Sequence, residues 1–136
     1  MDTSVRNGVA LLGKAIASSD SLVCCGLDPD LSRFPSEVIL TCLTAEEKAL
    51  FFLRAVVEAT APFVCAYKIQ KAFFDAFADG YLALRDIVGY IKVRHPQIPV
   101  FLDCKAGDID NTMDVYVRIA FELLDVDGMV VNPVHG

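Results

Sequence analysis

Apolar and polar positions along this chain follow two alternating rhythms. Val5, Val9, Leu12 and Ile16 recur at helical spacing and predict an amphipathic helix over residues 3–18. A short apolar run at 21–27 predicts a strand, stopped at Asp28-Pro29 because proline cannot donate to a strand ladder. Asp30, Ser32, Arg33, Pro35 and Ser36 then predict a polar loop. Thr44 with Glu47 three residues later forms a capping box. The stripe of Phe51, Phe52, Ala55, Val56 and Ala59 carries that helix to Thr60-Ala61-Pro62. A second strand is expected over 63–69. Tyr81, Leu84, Val88 and Ile91 mark a helical face within 72–94, where Gly80 is either a break or a separate entry point. A third strand at 99–103, a helix at 111–124 and a fourth strand at 128–132 complete the pattern.

The order is α, then β-α-β-α-β-α-β. Short, continuously apolar strands suit a parallel sheet covered on both faces. Strict alternation with helices implies right-handed crossovers. Two architectures satisfy this: an open doubly wound sheet, or part of a (β/α)8 TIM barrel. Gly26-Leu27-Asp28-Pro29 has neither the dinucleotide fingerprint nor P-loop spacing, which weighs against the open nucleotide-binding sheets.

Composition narrows the function classes. With 54% apolar and 22% charged residues, the chain can bury a core and is not a disordered segment. Twelve basic against eighteen acidic residues give a net charge of −6, with no Lys/Arg run, so nucleic-acid binding is not expected. An anionic ligand would need a locally positive site. The first twenty residues mix Asp2, Arg6, Asn7 and Lys14 with apolar positions, unlike a signal peptide. The apolar runs are too short to span a membrane. A soluble, cytoplasmic protein is the expectation. The five cysteines are odd in number and lack knuckle spacing. Cys24, Cys25, Cys65 and Cys104 lie in apolar runs and read as small buried hydrophobes in a reducing compartment. His95 and His135 are far apart, and no metal site is expected.

Charged residues gather where the strands end. Asp28 ends the first strand, Lys68 the second, and Asp103 and Lys105 the third, with Asp108 one turn later. Ligands bind at that edge in parallel β/α folds. Any one aspartate there is readily explained as a turn or helix cap, and for Asp28 alone that is the better reading. Two lysines and three aspartates together predict a coupled charge network. Residues two apart on a strand share a face, so Asp103 and Lys105 are expected in one site. Gly107 is expected to supply a turn conformation barred to other residues. Carboxylates beside Lys105 would keep its ammonium charged and fixed, able to stabilise a carbanion and protonate it.

Asp103-Cys-Lys105-Ala-Gly-Asp108-Ile109-Asp-Asn-Thr112 resembles the DxKxxDIxxT motif of orotidine 5′-monophosphate decarboxylases. Gly26-Leu-Asp28, Tyr67-Lys68 with Ala72-Phe-Phe-Asp75, and Asp127-Gly-Met-Val-Val-Asn-Pro133 are similar to that family's first, second and fourth strands. The likeness runs from about Leu22 to the last residue. It implies a (β/α)8 barrel, with this chain covering about the first four units as the N-terminal half of a single decarboxylase domain. It further implies that Lys105 protonates C6 of the pyrimidine once carbon dioxide departs, and that Asp103 sits beside the substrate carboxylate. Lys68 and Asp28 would bind ribose hydroxyls, Lys68 also joining the charge network. Asp108, Ile109 and Thr112 would reach into a neighbouring subunit's site, which implies a homodimer. No metal or cofactor is implied, and a fused orotate phosphoribosyltransferase, as in UMP synthase, is a candidate partner. The chain departs from the family in having four strands rather than eight. It also lacks a match to the late glycine-arginine phosphate loop and has Pro133-Val-His-Gly136 in place of Pro-Tyr-x-Gly.

Two rivals stand beside this reading. Magnesium-dependent hexulose-phosphate synthases and keto-gulonate-phosphate decarboxylases share the DxKxxD core, but they take an acidic metal ligand from the end of the first or second strand. The second strand here offers Lys68, a cation, while Ile109 and Thr112 continue the nucleotide enzyme's motif. The other rival is an inactive truncated barrel serving only as an assembly partner.

Overall fold

The computed structural model describes residues 7–134. Val5 and the start of the predicted first helix, together with His135 and Gly136, lie outside the described residues. Four strands, β1 (Cys24–Leu27), β2 (Ala66–Gln70), β3 (Val100–Ala106) and β4 (Gly128–Val131), form one sheet in the order β1-β2-β3-β4. Every pairing is parallel. The order never reverses, so the sheet lacks the switch point of a doubly wound fold and advances in one direction as a barrel wall does.

Helix α1 (Gly8–Ser19) is capped by Asn7, whose side-chain oxygen accepts from the Ala10 amide at 3.0 Å. The segment read as a polar loop contains a 3-10 turn (Leu31–Arg33) and a short helix, α2 (Ser36–Thr41), opened by Pro35. Proline and serine pointed to a loop there, yet both also suit a helix start. Helix α3 (Ala45–Thr60) begins at the expected capping box: Thr44 accepts from the Glu47 amide at 3.1 Å, and Glu47 reaches back to the Thr44 amide at 3.1 Å. Gly80 proves to be an entry point. Helix α4 (Lys71–Asp75) and helix α5 (Gly80–Arg94) are separate, and a Cβ at Gly80 would lie 1.6 Å from the Phe74 carbonyl oxygen. Helix α6 (Asp110–Arg118) runs on into a π turn (Ile119–Leu123).

The two faces of the sheet differ. Leu27, Tyr67, Ile69, Val100 and Leu102 pack beneath α3 and α5 with Leu53, Val57, Leu84, Ile87 and Ile91 in one core. Burial of each such side chain stabilises the fold by about 1.5–3 kcal/mol. The opposite face carries Ala66, Lys68, Phe101 and Asp103. Its N-terminal end is covered by α1, through Ala15, Leu12 and Ile16 against Ala66 and Phe101. Its C-terminal end is left to the charged residues. Asp127, at the start of β4, is a lock at the far end: its buried carboxylate accepts from the Val100 amide at 2.8 Å and pairs with Lys92 of α5. The expectation of buried cysteines holds for Cys65 alone. Cys24 is exposed on the edge strand, and Cys25 and Cys104 are half-buried.

Candidate functional site

Strand β2 presents Lys68 and strand β3 presents Asp103 on the face away from the core helices. Their register is diagonal, since Lys68 lies opposite Phe101 and Gln70 opposite Asp103. Lys68 therefore reaches two residues along β3, and its Nζ donates to Asp103 Oδ2 at 3.0 Å. Lys105 Nζ donates to the other oxygen, Oδ1, at 2.6 Å. One carboxylate, with only 8% of its side chain exposed, thus separates two ammonium groups. The hydrogen bond from Lys105, aided by Lys68 and opposed by burial, holds the Asp103 carboxyl below the usual carboxylate range. Asp103 is ionised at neutral pH, and two ammoniums against one carboxylate give this contact triad a net charge of +1.

Simple strand alternation does not explain how Lys105 returns to Asp103. Asp103 pairs with Val130 and Ala106 with the next residue, Val131, so Cys104 and Lys105 are inserted without register partners. Lys105 has φ 47°, in the left-handed region, at a cost of roughly 1–2 kcal/mol for a residue with a Cβ. The left-handed conformation expected at Gly107 is absent there and falls on Lys105 instead. No sequence signal marks this, because the residue is neither glycine nor asparagine. Such local strain is characteristic of functional positions.

The remaining candidates surround the triad without entering it. Asp28 is exposed just past β1. Its carboxylate lies over Gly26, 3.7 Å from where a Cβ would stand, and Gly26 is the register partner of Lys68. Asp108 accepts from the Ile109 amide at 2.8 Å and makes no ion pair with Lys105. Three of the five predicted charges are therefore in mutual contact, while Asp28 and Asp108 stand at the rim. Ile109, 66% exposed, precedes α6, and Thr112 lies in its first turn, its amide bonded to the Ile109 carbonyl at 2.9 Å. A further ion pair at this rim, Lys71 to Asp75 at 2.6 Å within α4, escaped the sequence reading, although its i,i+4 spacing signals it. Among the described residues no group of three or more His, Cys, Asp or Glu side chains is placed to hold a metal ion. No helix among them is long and apolar enough to cross a membrane.

Known proteins share this chain's sequence and fold. The chain is 42% identical over 125 residues to an orotidine 5′-phosphate decarboxylase of Cellvibrio japonicus, covering 92% of this chain and 45% of that one. Among solved structures, a Toxoplasma gondii protein assigned as an orotidine-monophosphate decarboxylase superposes with a TM-score of 0.81 at 34% identity, over 93% of this chain and 40% of its own. The UMP synthase of Leishmania donovani matches with a TM-score of 0.76 at 31% identity, over 93% of this chain and 25% of its own. The chain spans a little under half the length of the curated relatives it matches, and its four units are part of a (β/α)8 barrel. The family model for orotidine 5′-phosphate decarboxylase / HUMPS proteins matches residues 21–136, and the chain belongs to that family.

Proposed function

We propose that residues 1–136 form the N-terminal half of a single decarboxylase barrel that converts orotidine 5′-monophosphate to UMP in pyrimidine biosynthesis. The observation that carries this is the Asp103 carboxylate held between Lys105 at 2.6 Å and Lys68 at 3.0 Å. In the proposed reaction the bond from C6 to the carboxylate breaks and carbon dioxide leaves. The electron pair remaining on C6 takes a proton from the Lys105 ammonium, which regains one from water. Asp103 keeps Lys105 charged and aimed, and its own charge disfavours a neighbouring substrate carboxylate until that group departs. Lys68 and Asp28 bind ribose hydroxyls.

Asp108, exposed Ile109 and Thr112 complete the neighbouring site of a homodimer. The match to a UMP synthase supports a fused orotate phosphoribosyltransferase as a further partner. We place the enzyme in the cytoplasm. Lys68, a cation on the second strand, and the Ile109/Thr112 continuation of the motif favour the nucleotide substrate over that of a magnesium-dependent relative.

The test uses a full-length barrel carrying this segment. Lys105→Ala is expected to lower kcat by at least ~10³-fold, with no magnesium requirement in the parent enzyme. Undiminished turnover in that variant, or activity that appears only with magnesium, sinks the proposal.

A further inference from the structure

We infer that Cys104 is a positioning residue for Lys105, acting through the two-residue insertion in β3. The inference rests on Asp103 and Lys105 being the reacting pair. Strand β3 leaves register after Asp103, whose partner is Val130, and re-enters at Ala106, whose partner is Val131. Re-entry is fixed by the backbone, since the Asn132 amide donates to the Ala106 carbonyl at 2.7 Å. The inserted residues have no such ladder. Lys105 is held by its bond to Asp103. Cys104 is held by its thiol, which donates to the Val130 carbonyl at 3.5 Å, the carbonyl of the residue opposite Asp103. Among the described residues this is the only side-chain hydrogen bond from the insertion to β4.

The two side chains work on opposite sides of the sheet. Cys104 packs against the helix-side core, whereas Asp103 belongs to the open face with Lys68. A left-handed residue directly after an anchored one turns the chain back, and Lys105 is the residue so turned. Its side chain is 61% exposed, so packing does little to hold it. Without the thiol anchor, the left-handed backbone loses its side-chain restraint on the β4 side. Lys105 then drifts from Asp103.

The experiment compares Cys104→Ala with Cys104→Ser in a full-length barrel, reading kcat, KM and the carboxyl titration of Asp103 by carbon-13 NMR. The alanine variant is expected to lose roughly tenfold or more in kcat, since small misplacements of a reacting group are costly, with little change in KM. Its Asp103 titration should move up toward the ordinary carboxylate range as the Lys105 bond weakens. Serine, whose hydroxyl can donate to Val130, should restore both. A purely structural role lowers stability but leaves the Asp103 titration of the folded protein in place. Wild-type kcat and titration in the alanine variant overturn the inference. So does a serine variant with a raised Asp103 titration, a measurement that stands even if the alanine variant does not fold. If Lys105→Ala abolishes turnover while Cys104→Ala changes nothing, the functional reading survives and this inference does not.

Discussion

Asp103, in β3, and Asp127, just before β4, are the two buried aspartates among the described residues, and they mark opposite ends of the sheet. Asp103 meets two lysines at the open face; Asp127 meets Lys92 and the Val100 amide at the covered end. The distinction was only half legible. The Asp-x-Lys spacing pointed to Asp103 and Lys105 as partners, whereas Asp127 entered only as part of a strand motif. Its lock with Lys92 joins residues 35 apart, which no local pattern reveals. Asp127 is almost fully buried, so removing the Lys92 ammonium weakens the compensation of a carboxylate that water does not reach, even with the Val100 amide still in place. Lys92→Ala is expected to destabilise the fold by about 1.5–3 kcal/mol, the scale of one lost hydrogen bond to a charged group, read as a lower urea midpoint with an unchanged slope. Asp103 makes a complementary prediction about pH. Its folded carboxyl titrates below the ordinary range, so its contribution to stability is complete above that range and is lost only as pH falls through the lowered value. Decarboxylation should accordingly show no acid limb from Asp103 between about pH 5 and 8. A limb there that disappears in Asp103→Asn would contradict this.

At the level of elements, α3 and α5 are joined twice. Inside, Leu53 and Val57 meet Leu84, Ile87 and Ile91. Outside, Glu58 of α3 accepts from Tyr90 at 2.6 Å, His95 at 3.2 Å and Arg94 at 3.4 Å. Tyr90 and then Arg94 are the main causes that push the Glu58 carboxyl down from 4.5 to about 2. A lowered carboxylate adds stability above its ordinary value and loses it on acidification, so this outer clasp should weaken from about pH 4.5 to 2. Glu58→Gln should flatten the acid slope of thermal stability in that window; an identical slope in both proteins rejects the assignment. The helix periods and the capping box were readable because they are local. The split at Gly80 was readable only as a choice, since the deciding contact comes from the Phe74 carbonyl. Gly80→Ala should cost about 1–3 kcal/mol or more, because the clash is with backbone rather than a movable side chain. Wild-type thermal stability in that variant would refute the close approach.

For the molecule as a whole, the unbroken strand order leaves β1 and β4 with one neighbour each. Apolar residues line both free margins: Leu22 and Val23 are 81% and 57% exposed beside β1, and Val130 and Val131 are 38% and 48% exposed in β4. Unpaired strand edges with apolar flanks are templates for further pairing, and closure into a barrel removes them. The charged triad lies on the face such a closure would enclose: Asp103 is already buried, but Lys105, 61% exposed, depends on what completes the wall for its shielding from water. Sequence patterns could reveal the units but not this dependence, because an edge is a property of the assembled sheet. The 136-residue chain expressed alone is therefore expected to self-associate at micromolar concentration and to turn over little or no orotidine 5′-monophosphate. Supplying the remaining β/α units of a related barrel as a separate polypeptide should yield a defined complex and restore decarboxylation. Sedimentation velocity and a steady-state assay on the same samples decide the matter. A monomeric chain with full turnover on its own would show that four units suffice, and would separate the chemistry of the triad from closure of the barrel.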